Sequence, residues 1–372
     1  MTADQLSPVD LPFGLRLRNR LVVAPMTTYS SLENGNISPD ELPYLARRAE
    51  GGFGMVMTAA CAVHPRGKAF DGQWACWSDE FLDSLTSAAQ AIKSHGAAAV
   101  LQIHHGGRQC PSRLCGGTPL SASAIPAERP NAETPAAMTE AEIEETIAAF
   151  AKAAIRAKLA GFDGVETHGA NTYLLQQFVS PHSNRREDMW GDDRLRFPLA
   201  VTDAVVNAVP DYPVGYRFSP EELETPGIRL DQTEELLNEL CKRPLAWLHI
   251  SLRDFRQESA HGSVSGPILA HLHRVIAGRL PFIGVGAVKS LANAQECLET
   301  GCELVAVGRG AIYEPDFAKS ANPRTQIPAE GAAEKLVLPS ALATKIYNTP
   351  GWFDVEEPTP SDHVTGKSPA TP

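Results

Sequence analysis

The chain has 372 residues, of which 43% are hydrophobic and 21% are charged. A chain of this length holds two average domains or one large α/β barrel. The formal net charge of −11 argues against a surface that binds nucleic acid or anionic membranes. The start of the chain carries acids and Pro8, and no apolar run reaches about 18 residues, so we expect neither a signal peptide nor a membrane span. The seven cysteines form no Cys-x-x-Cys pair, and we expect reduced thiols in the cytoplasm.

Buried-strand patterns alternate with helix patterns along most of the chain. The strands are predicted at 21–25, 53–60, 97–103, 162–167, 213–218, 245–251, 281–286 and 303–308. The helices are predicted at 38–50, 79–95, 139–161, 193–209, 230–241, 268–277 and 290–300. No break in composition divides this series. It therefore predicts an α/β fold made of one (β/α)8 TIM barrel.

The two ends of the chain depart from the alternation. Residues 11–18 alternate around Gly14 and predict an N-terminal hairpin that closes one end of the barrel. Residues 332–347 predict a further helix, and the aromatic segment 350–353 is expected to dock on the barrel or on a partner subunit of a homo-oligomer. We therefore predict a barrel at 1–330, a C-terminal helical extension at 331–355 and a disordered tail at 356–372, where Pro, Ser and Thr dominate.

The carboxyl ends of barrel strands meet at one rim, where such folds bind their ligands. The residues predicted there are Thr27, Ala60, Gln102, His168, Arg217, Gly286 and Arg309. The glycine-containing loops 284–287 and 308–310 are typical of a phosphate-binding backbone nest, to which Arg309 would add charge. The alternative is that these glycines only end strands.

Arg217 lies inside an otherwise apolar strand, where a guanidinium is costly unless it faces a partner that accepts its hydrogen bonds. A reduced flavin, which is anionic around N1 and O2, would be such a partner. Gln102 could then bind the edge of the same ring, and Thr27 its O4 or N5 side. A buried Arg-carboxylate pair is the competing explanation. His104 and His105 point to opposite faces of a strand, so we expect no metal site from them.

His168, Asn171 and Tyr173 follow the fourth predicted strand within six positions. Histidine and asparagine side chains can both donate hydrogen bonds to one carbonyl oxygen, and a nearby tyrosine hydroxyl can supply a proton. This combination suits the reduction of an electron-poor double bond. A histidine at a strand end is also a common structural residue.

The residues around this trio resemble a known family. Residues 165–178 read Val-Glu-Thr-His-Gly-Ala-Asn-Thr-Tyr-Leu-Leu-Gln-Gln-Phe, and residues 180–186 read Ser-Pro-His-Ser-Asn-Arg-Arg. Together with 11–14, 19–27 and 307–310, these stretches resemble the signature of the Old Yellow Enzyme family, the FMN-dependent ene-reductases. The likeness covers most of the predicted barrel.

The resemblance implies an oxidoreductase that reduces the C=C bond of α,β-unsaturated carbonyl compounds with NADH or NADPH. It implies that His168 and Asn171 hold the carbonyl oxygen, that Tyr173 protonates Cα, and that hydride passes from flavin N5 to Cβ. Tyr29 is expected to touch the substrate. The residues implied to bind FMN are Ala24, Pro25, Met26, Thr27, Ala60, Gln102, Arg217, Gly286, Ala287, Gly308 and Arg309.

Two alternatives to this enzyme remain open. One is a flavin-binding barrel with a regulatory or vestigial role. The other is a flavin-free barrel lyase that acts on a phosphorylated substrate through the same phosphate nest, which a carboxylate facing Arg217 would favour. The fold does not separate them, because barrels host many chemistries.

Overall fold

The computed structural model describes residues 4–357. Its core is a closed barrel of eight parallel strands. The strands are β1 (Leu21–Val23), β2 (Met55–Met57), β3 (Ala98–His104), β4 (Gly164–Gly169), β5 (Val214–Phe218), β6 (Trp247–Ile250), β7 (Phe282–Val285) and β8 (Leu304–Val307). The order β2-β1-β8-β7-β6-β5-β4-β3 closes on itself because β2 also pairs with β3. The predicted (β/α)8 TIM barrel is confirmed.

Helices cover the outside of the barrel and its C-terminal rim. They are α1 (Glu41–Glu50), α2 (Leu82–Lys93), α3 (Ser112–Cys115), α4 (Glu140–Leu159), α5 (Leu174–Val179), α6 (Met189–Asp192), α7 (Arg196–Ala208), α8 (Leu230–Leu240), α9 (Ile268–Ile276), α10 (Leu291–Glu299), α11 (Arg309–Tyr313), α12 (Ala332–Leu336) and α13 (Ser340–Tyr347). Within residues 4–357, none of these helices is long and apolar enough to cross a membrane.

Helix α4 begins where local chemistry requires it to begin. Thr139 Oγ1 accepts the N–H of Glu142, and the Glu142 carboxylate accepts the N–H of Thr139 at 2.8 Å. This capping box satisfies two backbone donors that the helix itself cannot satisfy. Ile143 and Phe150 face the core, and Gly161, at φ +85°, follows the helix.

The N-terminal hairpin lies under the amino ends of the strands. Its strands, Val9–Asp10 and Arg16–Leu17, pair in antiparallel fashion. Arg18 then donates hydrogen bonds to the carbonyl of Phe53, just before β2, and to that of His95 at 2.8 Å, just before β3. The hairpin therefore closes the end of the barrel opposite the rim.

Side chains fill the barrel interior in levels, because successive residues of a strand point to opposite faces. Glu166 pairs in register with Gln102 and with Gly215, and Gly215 pairs with Trp247. A Cβ atom on Gly215 would lie 1.9 Å from Trp247 Nε1. Glycine therefore makes room for the indole to lie across this level of the barrel.

The C-terminal extension differs from the single helix predicted at 332–347. Two helices, α12 and α13, are separated at Val337, which has φ +49°. The physical reason is Pro339, which lacks an N–H and disfavours helical backbone in the residue before it. The prediction of one continuous helix was wrong.

The extension packs against the chain's own barrel. Arg48 of α1 donates to the carbonyl of Val337 at 2.9 Å, and the Trp352 ring lies 6.0 Å from the Tyr29 ring. Phe353 packs edge-on against Tyr313 of α11. The N–H of Glu356, in the predicted tail, donates to the carbonyl of Ile327 at 2.8 Å. The tail from residue 358 onward lies outside the described residues.

Several other predicted boundaries are shifted by a few residues, among them the following two. The helix predicted to start at Ser38 begins at Glu41, because residues 38–41 form a turn in which the Glu41 N–H donates to the carbonyl of Ser38, three residues back, at 3.1 Å. The fourth strand, predicted at 162–167, spans Gly164–Gly169. His168 therefore lies within β4 and not in the loop after it.

Candidate active site

His168 is held in β4 beside Arg217 of β5, with which it is in register. Its Nδ1 accepts the N–H of Ala170 at 3.2 Å, so the ring proton of the neutral side chain lies on Nε2. Burial, together with the nearby His104 and Arg217, lowers the pKa of His168 well below its ordinary value. The residue is therefore a neutral hydrogen-bond donor.

Asn171 is positioned by backbone and side-chain contacts just beyond β4. It and Thr172 both have left-handed backbone, at φ +56° and +62°, which is uncommon for residues other than glycine. The Asn171 N–H donates to Ser219 Oγ at 2.8 Å, and its Oδ1 accepts from the Ser251 hydroxyl at 2.8 Å. The amide nitrogen of the side chain remains to donate to a ligand.

Two consecutive glutamines of α5 hold this turn from both sides. Gln176 Oε1 accepts the N–H of Thr172 at 2.8 Å, and Gln177 Nε2 donates to the carbonyl of Thr172 at 2.7 Å. These glutamines satisfy the polar groups of a strained backbone, which persists only when its surroundings fix it. Sequence reasoning missed them because their partners lie four or five residues away in an irregular loop.

Tyr173 completes the group of three. Its ring meets His168 edge-on at 5.1 Å between centroids and His104 at 4.3 Å. Burial raises the pKa of the Tyr173 phenol to about 12, so the hydroxyl keeps its proton at neutral pH. The structure thus brings the three predicted catalytic residues together.

A cavity of about 800 Å³ opens at the C-terminal rim. Of the residues predicted to bind the cofactor, those that line it are Ala24, Pro25, Met26, Arg217, Gly286, Ala287, Gly308 and Arg309. A second cavity of about 500 Å³ shares Arg253 with it and reaches Asn171. A third, of about 360 Å³, lies between Tyr29 and Tyr173 and also includes Asn171. Asn171 therefore lies where the second and third cavities meet.

The loops after β7 and β8 let a ligand approach the backbone closely. Gly286 has φ +123°, and a Cβ there would lie 2.7 Å from the backbone nitrogen of Asp254. Gly308 faces open space, since a Cβ there would meet only the Met26 sulfur at 3.8 Å. Both glycines are therefore suited to the predicted phosphate nest.

Besides Arg217, three cationic side chains line the same cavity. Lys289 lies 3.5 Å from Asp354, whereas Arg253 and Arg309 are exposed and form no ion pair within residues 4–357. Their charges are available to an anionic group. Sequence reasoning found Arg309 but missed Arg253 and Lys289; the available signal was their position shortly after β6 and β7.

The remaining predicted cofactor ligands, Thr27, Ala60 and Gln102, are not among the residues that line the cavity of about 800 Å³. Thr27 is partly buried, and the loop after β1 is anchored beside it by Thr28, which donates to the buried Glu41 carboxylate at 2.5 Å. The Ala60 carbonyl accepts from Gln73 at 3.1 Å.

Gln102 lies inside the barrel, where its side chain bonds to another residue of the chain. Its Nε2 donates to Glu166 Oε1 at 2.8 Å, and Glu166 Oε2 accepts from Trp247 Nε1 at 3.0 Å and His249 Nδ1 at 2.9 Å. Burial alone would raise the pKa of Glu166, but His249, Arg217 and the hydrogen bonds lower it below its ordinary value. Glu166 is therefore an ionised carboxylate. Neither it nor His249 was identified from the sequence as a site residue.

His104 and His105 have separate neighbours. His104 Nδ1 bonds to Gln73 at 3.0 Å, whereas His105 Nδ1 accepts the N–H of Gly107 at 3.1 Å and its ring faces His64. Within residues 4–357, no group of three or more His, Cys, Asp or Glu side chains is arranged to hold a metal ion.

The residues of the cavity of about 800 Å³ fit a flavin mononucleotide. Arg217 is 8% exposed, and its Nε finds no hydrogen-bond partner among the described residues, which is costly for a buried donor. A ring edge with acceptor atoms beside Arg217 would satisfy it. The glycine loops, together with Arg253 and Arg309, suit a phosphate group.

Comparisons with known proteins agree with this fit. The model of the NADH:flavin oxidoreductase / NADH oxidase family matches residues 6–326. A probable NADH-dependent flavin oxidoreductase of Bacillus subtilis (strain 168) is 40% identical over 94% of this chain and 97% of its own length. NADH:fumarate oxidoreductase of Klebsiella pneumoniae (strain 342) is 42% identical over 86% of this chain, but the match spans only 36% of that protein.

Solved structures show the same fold. An Old Yellow Enzyme homologue from Zymomonas mobilis superposes with a TM-score of 0.76 at 24% identity, covering 87% of this chain and 95% of the other. Morphinone reductase in complex with tetrahydroNAD superposes with a TM-score of 0.74 at 27% identity, and the match covers 85% of this chain and 90% of morphinone reductase. The chain belongs to the NADH:flavin oxidoreductase / NADH oxidase family, and it is an FMN-dependent oxidoreductase of the Old Yellow Enzyme type that uses NADH or NADPH.

Proposed function

We propose that this protein reduces the activated C=C bond of α,β-unsaturated carbonyl compounds at the expense of NADH or NADPH. The observation that carries the proposal is the orientation of His168. Because its Nδ1 accepts the Ala170 N–H, the neutral ring has one donor left, Nε2–H, for a ligand.

His168 and Asn171 would bind the carbonyl oxygen of the substrate together. The Asn171 side-chain oxygen is occupied by the Ser251 hydroxyl, so its NH₂ group is the part that remains for a ligand. Two donors on one carbonyl oxygen withdraw electrons from the conjugated Cβ, and they stabilise negative charge on the oxygen as the double bond is reduced. Both donors are neutral, so they bind a ketone, aldehyde or ester without requiring a charged substrate.

Tyr173 would protonate the substrate at Cα. Burial is the main cause that raises the pKa of its hydroxyl to about 12, so the phenol is protonated throughout the neutral range. The edge-on contact with His168, at 5.1 Å between centroids, keeps the proton donor close to the group that would bind the carbonyl oxygen. A positioned general acid contributes roughly 10²- to 10⁴-fold to a rate.

The FMN would lie in the cavity of about 800 Å³. We propose that Arg217 and Gln102 bind its ring and that Gly286, Gly308 and Arg309 bind its phosphate, with Arg253 as a further cation. Bound FMN supplies hydride to Cβ after the nicotinamide has reduced it. Ala24, Pro25 and Met26 would pack on the ring, Thr27 and Ala60 would contact it from the loops after β1 and β2, and Ala287 would contribute to the phosphate nest.

The names of two relatives support an alkene as the electron acceptor. They are called NADH:fumarate oxidoreductase and, in Vibrio harveyi, NADH:acrylate oxidoreductase, and each name joins NADH to an electron-poor double bond. The chain spans about a third of the length of each, 36% and 32%. The substrate is therefore part of the proposal.

The test begins with the purified protein. We expect the absorption spectrum of bound flavin, and NADH or NADPH oxidation that depends on 2-cyclohexenone or maleimide. A protein that binds no FMN would contradict the proposal. Full FMN occupancy without turnover of any alkene would favour the flavin-binding regulatory role, and the flavin-free lyase already conflicts with the family.

Replacing Tyr173 tests the proton donor. The Tyr173→Phe variant should reduce its flavin with nicotinamide at the normal rate but reduce the alkene about 10²-fold more slowly. Tyr29→Phe is the matched control, since it removes a hydroxyl from the same cavity without changing the His168 contact, and it should affect KM more than kcat. If Tyr173→Phe slowed only flavin reduction, the assignment would be wrong.

A further inference from the structure

Glu166 is a fully buried carboxylate inside the barrel, one level below His168 in β4. An ionised carboxylate has only acceptor atoms, so each polar group in contact with it must turn a donor toward it. Three side chains do so, and all three come from other strands. This arrangement fixes which atoms of those side chains are left to face a ligand.

The consequence is clearest for Gln102. Its amide NH₂ donates to Glu166 Oε1 at 2.8 Å, and the opposite orientation would place two oxygens in contact. Gln102 Oε1 is therefore left as an acceptor. The pyrimidine edge of a flavin carries one N–H donor between two carbonyl groups, and an acceptor is the group that this donor needs.

The same reasoning applies to His249. Its Nδ1 lies 2.9 Å from Glu166 Oε2 and must carry the proton, which leaves Nε2 as a lone-pair acceptor. This Nε2 is buried and has no partner among residues 4–357. His249 is in register with Arg217, whose Nε is the unpartnered buried donor described above.

Glu166 also carries a negative charge that interacts with the positive charge of Arg217. Burial lowers the pKa of Arg217, and the Glu166 carboxylate opposes this shift although no hydrogen bond joins the two side chains. Buried charges are screened weakly. Without Glu166, the positive charge of Arg217 would act on a bound ring without compensation.

We propose that Glu166 is a positioning residue that makes Gln102 an acceptor toward the flavin, fixes the tautomer of His249 beside Arg217, and lowers the flavin's reduction potential. The proposal rests on the function given above, because it requires FMN beside Arg217. It adds a role for a residue that touches neither the substrate nor the cavity wall.

The decisive variant is Glu166→Gln. The new amide brings its own NH₂ group against three donors, so Gln102 must turn over and present NH₂ where it presented oxygen, and the negative charge is lost. The reduced flavin is the more negative form and gains from that loss. We expect the affinity ratio of reduced to oxidised FMN to rise about tenfold, which is about 30 mV for a two-electron couple.

A charge-swapped double variant protects the test against a folding failure. Gln102→Glu combined with Glu166→Gln keeps one carboxylate and one amide at the same two positions, and it returns an acceptor and a negative charge to the flavin side. Its reduction potential should equal or fall below that of the wild type. A double variant with a raised potential would overturn the proposal.

Glu222→Gln is the matched control. Glu222 is also a buried carboxylate, and it accepts from Gln176 at 2.8 Å, from Ser180 and from the N–H of Ile228 at 3.0 Å. Its loss should lower stability but change the ratio of FMN affinities by less than twofold, about 9 mV.

The measurements are the FMN dissociation constant and the reduction potential, neither of which requires turnover. A finding that the wild-type protein binds no FMN would contradict the proposed function itself. Wild-type protein that binds FMN, with Glu166→Gln changing the potential no more than Glu222→Gln does, would overturn only the role of Glu166.

Discussion

Replacing Gly215 with alanine should destabilise the barrel strongly, although the change adds a single methyl group. A Cβ at this position would lie 1.9 Å from Trp247 Nε1 and 2.1 Å from Cε2, well inside van der Waals contact. Trp247 is fully buried, and its indole cannot move aside without disturbing its neighbours. Gly215 has no positive φ, so the cost comes from contact and not from backbone strain.

The size of the effect follows from two losses. Moving the indole breaks its hydrogen bond to the Glu166 carboxylate, 3.0 Å long, and hydrogen bonds to charged groups contribute about 1.5–3 kcal/mol. Overpacking a close-packed interior costs about 1–3 kcal/mol more. We therefore expect Gly215→Ala to lower the free energy of unfolding by about 2.5 to 6 kcal/mol.

Guanidinium denaturation of the FMN-free protein, followed by tryptophan fluorescence, would measure this change. Gly161→Ala is the control, because a Cβ there meets no atom within 4 Å and only the φ of +85° is unfavourable. That control should lose about 1–2 kcal/mol. If Gly215→Ala lost no more than Gly161→Ala, the indole could not occupy the space beside Gly215.

Three further predictions address the cofactor, a helix cap and pH. Arg253→Gln should weaken FMN binding about tenfold and leave riboflavin binding unchanged, because only FMN carries the phosphate; equal losses for both would contradict this role. Thr139→Ala should lower stability by about 1 kcal/mol in thermal denaturation, since it removes the side-chain acceptor of the capping box. Burial keeps the pKa of His104 at about 3, and those of His105 and His168 well below 6.5. Below pH 6.5 the unfolded chain therefore binds more protons at these histidines than the folded one. These three groups alone should lower stability by about 4 kcal/mol at pH 5.5 relative to pH 8, and His249, whose pKa burial also lowers, acts in the same direction.

The barrel could be predicted because each of its strands is buried on both faces and reads as a short apolar run. Apolar residues on both faces also make the ends of each strand difficult to predict. A strand with apolar residues on both faces has no alternation to mark where pairing stops, so the fourth strand was placed two residues early and His168 was assigned to a loop. Helix α4 was predicted at its observed start because Thr139 and Glu142 carry a local, directional signal.

The candidate site was predictable only where position along a strand implies position at the rim. Arg217, Gly286 and Arg309 follow from that rule, and all three line the cavity of about 800 Å³. Ser251 does not follow from it, although its hydroxyl bonds both Arg217 and Asn171, because a serine at a strand end has many ordinary uses. Contacts of this kind depend on how two loops meet, and no spacing in the chain encodes them.

Arg217 was expected to face either a flavin or a carboxylate, and the structure shows that these alternatives do not exclude each other. A guanidinium inside an apolar strand needs negative charge nearby, and the sequence suggested either a flavin or a carboxylate. In the structure burial lowers the pKa of Arg217 and the nearby Glu166 carboxylate opposes that shift, yet the oxygens of Glu166 bond to Gln102, Trp247 and His249. Arg217 Nε still has no partner among the described residues. The Glu166 carboxylate therefore offsets the positive charge of Arg217 without accepting a hydrogen bond from its Nε. The two explanations do not exclude each other, and Arg217 can interact with both the carboxylate and a flavin.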